Sequence, residues 1–550
     1  MYLRDLDGKP FGQLRRLSGN HADKDLSLCV EHVQGDPYAP ASRFRLDLHP
    51  AFHPHLVLPS DPVGRLAMED LWLREFVARL PAESLPAGDG PGGRLRTASP
   101  DESIRRRSGA SCAKALSLRF TYSLPAQSRR FLSDPAIEVL LERVPALALE
   151  IAQAIKPDRV RELADHIGRR RAAARQVREK GWVAFLPTGS GLHRDADGRP
   201  ARKSVRLEVP QDLRGSIRMP DGSDVEGLPI RPGVTVVVGS AFHGKTTLLE
   251  AVGRASGDLG SSDGLSMAVS PVGTEFVATE EDRSVSTCDL SPFFRRLPGQ
   301  DPSSFKVDRA SGATSQAANV HEALSSGARL LLVDEDASAA NFLTRDPRIS
   351  RLLPEGESVV PLAHRARELA SRGISLLVVA GASSEWLAVA DQVLVLSGYQ
   401  PSDATARARE IAPEPPPSTS PAAWDKALAD VAMDSWKDLA AVTASKIRVQ
   451  DGKVRLGASA QAEFPRRFAP DDELRGAAYL LCEWLRHCRD RALKPTRDGL
   501  VAFVAAREAA PDPWGGPVGH DLAFPSVRAV WGTWTRLCAT RPEPDDSPEL

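Results

Sequence analysis

The middle of the chain alternates short apolar runs with stretches of helical periodicity. The first run, Val234–Val238, reads VTVVV, and β-branched runs of this length are typical of buried strands. Similar runs recur at 328–333, 374–379 and 390–396. Strands that alternate with helices predict βα units and a largely parallel sheet, so residues 205–400 are expected to form an α/β domain.

The flanking regions carry different patterns. Residues 1–204 mix short strands with helices, including long helices over 135–180 that break near Pro157, and predict an α+β N-terminal domain. Residues 401–423 are polar and then proline-rich, as in a linker. Residues 424–550 are expected to form a mainly helical C-terminal domain, with core tryptophans at Trp424, Trp436, Trp484, Trp514, Trp531 and Trp534.

The strongest chemical signal directly follows the first apolar run. The segment GSAFHGKTT matches G-x-x-x-x-G-K-[ST] and stands in the required setting between a strand and a helix. Its backbone N–H groups are expected to surround the phosphates of ATP, with Lys245 on the β- and γ-phosphates and Thr246 on Mg²⁺. The cofactor-binding candidates are Gly239, Ser240, Ala241, Phe242, His243, Gly244, Lys245, Thr246 and Thr247. A degenerate loop that binds nothing is the alternative.

A pair of carboxylates ends the second apolar run. Asp334 fits the acid that holds Mg²⁺ in P-loop ATPases, together with Thr246. Glu335 follows it, where a carboxylate can polarise the attacking water. Lys245 and Glu335 are therefore the expected catalytic residues. The alternative is a pair of acids that only caps the next turn.

The segment between the phosphate loop and the acids resembles the signature of ABC-type ATPases. Those proteins carry LSGGQ, a helix that ends in AL, and then DEP-x-SALD. Without a gap, Ser311 and Gly312 fall on the SG of that pattern, and Ser338 falls on its SALD serine. The resemblance implies that Ser311, Gly312 and Ser338 help to bind the nucleotide. In ABC ATPases the signature comes from the opposite subunit, so it also implies a homodimer.

The chain departs from the ABC pattern at informative positions. Ala313 and Thr314 replace signature residues, and Gly381 occupies the position of the switch histidine. Without that imidazole we expect slow hydrolysis. His243, inside the phosphate loop, could compensate, or it could lie on the surface.

Taken together, these motifs resemble the family described as predicted ATPases of the ABC class. The segments that carry the likeness include HVQGDPYAP, AFLPTGS, HGKT, DLSPF, ASG-x-TSQAAN and DED-x-SA-x-NF. The resemblance covers roughly residues 10–410 and implies an ABC-type core fused to a characteristic N-terminal domain. A trypanosome mitochondrial member belongs to an RNA-binding and editing complex. The resemblance therefore implies an RNA-associated ATPase.

Charge is unevenly distributed along the chain. The net charge is −1, but residues 1–210 hold 34 basic and 26 acidic residues. The excess includes the runs Arg105–Arg107, Arg129–Arg130 and Arg169–Arg171. Such a region is a candidate surface for a polyanion, and a solvated arginine-rich face is the alternative. We expect RNA as the partner, with DNA left open.

Other patterns narrow the protein class. No window reaches 18 uninterrupted apolar residues, and we expect no membrane partner. Six scattered cysteines form no disulfide framework, and the N-terminus lacks an apolar signal core, so we expect a cytoplasmic protein. The segment Thr188–Gly191 is either a small anion-binding loop or a turn. A non-hydrolysing, ATP-gated scaffold and a DNA-repair ATPase remain as rival functions.

Overall fold

The computed structural model describes residues 2–22, 26–80, 87–195, 200–201, 205–310, 312–350, 352, 358–412, 414, 421–428, 436–458, 460–465, 468–515 and 518–539. It divides the chain into two compact units. Unit 1 comprises Met1–Ile167 and Ala502–Phe524, and unit 2 comprises Gly168–Val501 and Pro525–Leu550. Within the described residues, no helix combines the length and apolar character that a membrane span requires.

Unit 1 is built on an antiparallel sheet with helices. Its strands are β1 (Gly19–Ala22), β2 (Leu26–His32), β3 (Ser42–Leu48), β4 (Leu95–Arg96), β5 (Ala110–Cys112), β6 (Leu116–Tyr122), β7 (Ala126–Gln127) and β8 (Arg130–Phe131). Its helices are α1 (Pro62–Arg79), α2 (Ser133–Ile137), α3 (Val144–Ala154) and α4 (Pro157–Glu179), the last of which continues into unit 2. The sheet order is β1-β2-β3-β6-β4, with β5 also on β6, and β7 and β8 form a separate hairpin.

Local sequence explains where these helices begin. Asp61 caps α1 by accepting a hydrogen bond from the Gly64 amide at 2.7 Å. Pro157 is the first residue of α4, where its missing N–H costs nothing, so the predicted break at this proline is confirmed. Trp72 of α1 is fully buried and donates its indole N–H to the Ser117 carbonyl at 3.2 Å, which anchors the helix to the sheet.

Unit 2 contains the remaining elements. Its strands are β9 (Ala184–Pro187), β10 (Gly215–Arg218), β11 (Asp224–Ile230), β12 (Val234–Val238), β13 (Thr274–Phe276), β14 (Arg283–Cys288), β15 (Phe305–Ala310), β16 (Leu330–Asp334), β17 (Ser375–Val379), β18 (Gln392–Ser397), β19 (Gln400–Asp403), β20 (Ile447–Gln450), β21 (Lys453–Leu456), β22 (Ala460–Glu463) and β23 (Cys538–Ala539). Its helices are α5 (Lys245–Arg254), α6 (Gly312–Ser325), α7 (Ala340–Leu343), α8 (Pro347–Ser350), α9 (Leu362–Ser371), α10 (Glu385–Val389), α11 (Thr405–Ile411), α12 (Trp424–Ala427), α13 (Trp436–Leu439), α14 (Asp471–Asp490), α15 (Arg497–Ala509, shared with unit 1) and α16 (Val527–Arg536).

A six-stranded sheet is the centre of unit 2. Its order is β13-β16-β17-β12-β18-β19, and all its pairs are parallel except β18 with β19. Strands β16 and β17 are buried along their whole length, because helices cover both faces of a parallel sheet. The predicted α/β domain with a parallel sheet is confirmed. The carboxyl ends of β12 and β16 place the phosphate loop and the acidic pair at the same edge.

The structure corrects the expected domain boundaries. Strand β9 pairs with β11, Ala184 opposite Ile230, so the unit that contains the parallel sheet starts well before residue 205. The expected linker, 401–423, begins with β19 and α11, because Gln400–Asp403 completes the central sheet through backbone hydrogen bonds with β18.

The expected C-terminal domain, 424–550, is not a separate unit. Residues 502–524 group with unit 1, and 525–550 group with unit 2. It also holds an antiparallel sheet, β20-β21-β22-β23, beside its helices. The prediction that its tryptophans lie in a core is confirmed for all but the partly exposed Trp436: the buried ones are Trp424, Trp484, Trp514, Trp531 and Trp534.

Candidate nucleotide-binding site

Two glycines give the phosphate loop its shape. Gly239 follows β12 at φ 153°, and a Cβ there would lie 2.4 Å from the Leu396 carbonyl oxygen. Gly244 precedes α5 at φ 92°, and a Cβ there would lie 2.3 Å from the ring of Tyr399. Neither position accepts a side chain, so the glycines of the sequence motif are demanded by close approach as well as by backbone angle.

Phe242 is the unusual residue of the loop. It has a φ of 65°, in the left-handed region that bulky side chains avoid, and its side chain is 99% exposed. No packing compensates for the backbone strain. Strain of this kind is concentrated at functional sites. The sequence gives the residue type here but no indication of its conformation.

Lys245 and Thr246, the residues expected to contact phosphate and metal, form hydrogen bonds with neighbouring parts of the site. The Lys245 ammonium donates to the carbonyls of Gly239 at 2.8 Å and Ser240 at 3.0 Å. The Thr246 hydroxyl donates to the Asp334 carboxylate at 2.8 Å. Hydroxyl and carboxylate oxygens are the ligands that Mg²⁺ prefers, and phosphate oxygens complete its shell in such sites. These residues therefore fit a Mg²⁺–nucleotide complex.

Glu335 is held by the segment that follows β17. Its carboxylate accepts hydrogen bonds from the backbone amides of Gly381 and Ala382, the latter at 3.0 Å, and from the Ser383 hydroxyl. Burial acts to raise the pKa of Glu335, but these hydrogen bonds outweigh it and hold the pKa below its ordinary value. The side chain is therefore ionised and fixed in direction. Ser383 was not identified from the sequence, because nothing local indicates that it reaches a residue 48 positions away.

Gly381 lies at the position expected from the sequence, beside Glu335. Its amide, not a side chain, contacts the carboxylate. A Cβ at Gly381 would have a single neighbour within 4 Å, the Glu335 carboxylate at 3.7 Å, which is an ordinary contact. Position 381 thus has room for a side chain, although the residue there is glycine.

The structure describes only part of the segment that resembles the ABC signature. Ser311 lies outside the described residues, and Gly312 begins α6 with a φ of 50°. Buried Gln316, which the sequence did not single out, donates to the Ser338 hydroxyl at 2.8 Å and accepts from the Ala339 amide at 2.8 Å. The Ser338 hydroxyl in turn donates to the Asp334 carbonyl at 2.7 Å. Ser338 thus bonds within its own chain and joins α6 to the acidic strand end.

His243 is engaged away from Glu335. Its Nδ1 accepts a hydrogen bond from the Gly398 amide at 2.9 Å, and its carbonyl accepts one from the Tyr399 amide. The Tyr399 hydroxyl lies 2.6 Å from Nε2 of His193. The β18–β19 turn therefore braces the phosphate loop through His243, and this contact favours a structural role over replacement of the missing histidine.

The segment Thr188–Gly191 is a structural turn and not an anion-binding loop. Its four amides donate to carbonyls of the protein, at distances between 2.7 and 3.2 Å, on Glu226, Leu207, Pro187 and Gly264. No amide of this segment is left to hold an anion, so the alternative of a small anion-binding loop is wrong.

The arginine runs divide between the interior and the surface of the protein. Arg106 forms a two-pronged pair with Glu69, and buried Arg107 binds Asp101. Arg170 is also buried and donates to the carbonyls of Leu265 and Gly257. Further bonds are Arg105 to the Ser103 hydroxyl, Arg130 to the Gly8 carbonyl, Arg129 with Asp36, Arg169 with Asp221 and Arg171 with Asp258. Arg106, Arg107 and Arg170 therefore serve the fold, whereas Arg129, Arg130, Arg169 and Arg171 are exposed at the surface.

The phosphate loop, the acidic strand end and the parallel sheet define a P-loop ATPase. Two family models match the chain: the P-loop domain of the ABC ATPases over residues 157–429, and the N-terminal domain of the ATPases of the ABC class over residues 1–155. The chain belongs to this family of ABC-class ATPases with a characteristic N-terminal domain.

Individual relatives add little beyond the family. The chain is 27% identical to the uncharacterized protein MJ1628 of Methanocaldococcus jannaschii over 206 residues, which cover 36% of this chain and 45% of that protein. A solved structure of MJ1267, an ATP-binding cassette of an ABC transporter in its ADP conformation, is 12% identical with a TM-score of 0.26, covering 42% of this chain and 95% of the cassette. The structure of cbiO1 from Clostridium perfringens is 13% identical with a TM-score of 0.22, covering 40% and 87%. These scores support no further conclusion.

Proposed function

We propose that the protein is an ATP-driven homodimeric switch that hydrolyses ATP slowly. The observation that carries the proposal is the arrangement around Asp334 and Glu335: one carboxylate accepts from the Thr246 hydroxyl and the next is ionised and held by three donors. A metal-holding acid beside an oriented base is the minimum that phosphoryl transfer to water requires.

The chemistry follows from these groups. Lys245 would bind the β- and γ-phosphates. Thr246 and Asp334 would hold Mg²⁺, which would supply neutralisation of the charge that develops on the phosphates. Glu335 accepts a proton from the attacking water as a bond forms to the γ-phosphorus and the bond to the β-phosphate oxygen breaks. A carboxylate whose pKa is lowered is a weak base, and Gly381 supplies no imidazole. Both features support slow turnover.

The dimer is part of the same proposal. Lys245 and Glu335 would contact the nucleotide bound by their own chain. Gly312, at the start of α6, would contact the nucleotide bound by a second copy of the chain. Sedimentation of the Glu335→Gln variant with saturating Mg-ATP tests this. We expect dimers with ATP and monomers with ADP, and monomers under both conditions would overturn the proposal. Phosphate release by wild type and by Lys245→Ala separates slow hydrolysis from none.

RNA is the proposed partner, with DNA as the competing ligand in the test. Because Arg106 and Arg107 serve the fold, binding would rest on exposed basic residues of unit 1, such as Arg15, Arg16, Arg94 and Arg96. We expect affinity for RNA that falls steeply with salt and weakens when these four become Gln. Equal affinity for a DNA strand of matched sequence would show that the protein does not prefer RNA. Absence of RNA binding at low salt would refute the proposal that RNA is the partner.

A non-hydrolysing scaffold is the second candidate, and Gly381 favours it because no side chain there can sense the γ-phosphate. Turnover with and without RNA discriminates between the two. If the protein dimerises with ATP but releases no phosphate with or without RNA, the non-hydrolysing scaffold is the correct function.

A further inference from the structure

Helix α16 lies in a part of the chain that neither family model covers. The matches end at residue 429, and α16 spans Val527–Arg536 within unit 2. Its side chains are nevertheless bonded to α6, the helix that begins at the signature Gly312. Its two arginines donate seven hydrogen bonds that form the connection, and three of these reach α6 directly.

Arg536 is the centre of this connection. Its guanidinium is 0% exposed and binds both carboxylate oxygens of Glu322 on α6, each at 2.8 Å. It also binds both oxygens of Glu280, at 2.6 and 3.1 Å. Its flat faces meet the rings of Phe464 and Phe468 at 4.6 and 4.8 Å. Only a planar, five-donor cation makes this set of contacts.

Arg528, eight positions before Arg536 on α16, forms a second link. It donates to the Asn319 side chain of α6 at 2.6 Å, to the Glu275 carboxylate at 2.8 Å and to the Phe276 carbonyl at 3.0 Å. Asn319 in turn donates to Glu280. The two arginines of α16 thus grip α6 at Asn319 and Glu322, three positions apart and hence on one face of that helix.

The ion pairs of this network join equal numbers of arginines and glutamates. Three arginines, Arg283, Arg528 and Arg536, face three glutamates, Glu275, Glu280 and Glu322. Burial acts to raise the pKa of Glu322, but Arg283 and Arg536 outweigh it and the pKa lies well below its ordinary value. Buried ion pairs are costly unless their geometry is close to ideal, so such a network favours one arrangement of its elements.

The network reaches the start of α6 in two hydrogen bonds. The backbone amide of Glu280 donates to the Ser315 hydroxyl at 3.1 Å, and that hydroxyl donates to the Gly312 carbonyl at 2.9 Å. Arg536 therefore fixes Glu280, Glu280 fixes Ser315, and Ser315 closes the first turn of α6. A displaced α16 would shift or loosen the turn that carries Gly312.

We propose that α16 is a clamp on the signature helix, and that Arg536 and Arg528 are positioning residues for Gly312. This rests on the proposed function, in which Gly312 serves the nucleotide of a second copy. The clamp acts on the signature side of the site and leaves the chain's own phosphate loop unchanged.

The test uses Arg536→Lys in the full-length Glu335→Gln background, because lysine keeps the charge and loses the two-pronged contacts. We expect affinity for a fluorescent ATP analogue within about twofold of the parent, and ATP-driven dimerisation weakened about tenfold. Arg475→Lys is the matched control, since Arg475 of α14 donates to the Val449 carbonyl of β20 at 2.7 Å. The Arg475→Lys control should dimerise with ATP as strongly as the Glu335→Gln parent. Unchanged dimerisation in Arg536→Lys would overturn the clamp.

Hydrogen exchange provides a readout that does not depend on the dimer. In Arg536→Lys, amides in the first turns of α6 should exchange about tenfold faster, while those of α5 keep their rates. Failure of the Glu335→Gln parent to dimerise would refute the proposed function alone, and equal exchange in α6 would refute the clamp alone. Arg528→Lys should also speed exchange in the first turns of α6. Agreement between the two variants would show that the effect is not specific to Arg536.

Discussion

The Thr246 hydroxyl donates to the Asp334 carboxylate at 2.8 Å, although the two residues are 88 positions apart in the chain. Parallel strands β12 and β16 end at one edge of the central sheet, with β17 between them. That single contact joins the phosphate loop to the acidic strand end and fixes where a metal ion would be held.

Loss of the Thr246 hydroxyl should uncouple the metal from the loop. We expect Thr246→Ala to lower kcat about 100-fold and to raise the Mg²⁺ concentration needed for half-maximal turnover. Thr246→Ser keeps the hydroxyl and should remain within a few-fold of wild type. A Mg²⁺ titration of phosphate release measures both. If alanine and serine behaved alike, the hydroxyl would have no role at the metal.

The acid limb of the pH profile should depend on Ser383. Hydrolysis needs ionised Glu335, so activity falls as the pH drops through the pKa of that carboxyl. Because its pKa is lowered, wild type should keep activity to a more acidic pH than an ordinary glutamate allows. Ser383→Ala removes a hydrogen bond to the charged form, raises the pKa and moves the acid limb of kcat to higher pH. An identical profile would show that another group titrates.

Gly381 offers a direct test of why turnover is slow. A Cβ there makes only an ordinary contact with Glu335, so a side chain can be accommodated. We expect Gly381→His to raise kcat about tenfold, since a donor near the transferring phosphate stabilises its charge. Gly381→Ala controls for the added Cβ and should leave kcat unchanged. A rate for the histidine variant no higher than that for alanine would refute this explanation.

The strain at Phe242 predicts a stabilising substitution in the phosphate loop. Glycine accepts a φ of 65° without penalty, and the exposed ring contributes no packing, so Phe242→Gly should stabilise unit 2 by about 1 kcal/mol. Phe242→Ala keeps the Cβ and the strain and should leave the melting temperature nearly unchanged. Differential scanning of nucleotide-free protein compares them. Equal melting temperatures for the two variants would contradict the strain.

The sequence alone determined the elements whose requirements are local. The GSAFHGKTT segment has glycine at Gly239 and Gly244, where the backbone φ is positive, and a strand and a helix flank it as predicted. The apolar runs determined the parallel sheet, because strands buried on both faces need unbroken apolar side chains. The resemblance to ABC-class ATPases rested on such local motifs, and both family matches bear it out.

Tertiary structure decided everything that depends on a partner distant in the chain. Ser383 reaches Glu335, Gln316 reaches Ser338, and Arg536 reaches Glu322 across 214 positions. Arg106 and Arg170 belong to runs that as sequence suggest a polyanion surface. They instead bind a carboxylate and a carbonyl that folding brings to them. The spacing of polar residues along a chain does not reveal which acceptor each donor meets, because only packing of the apolar core brings the two together.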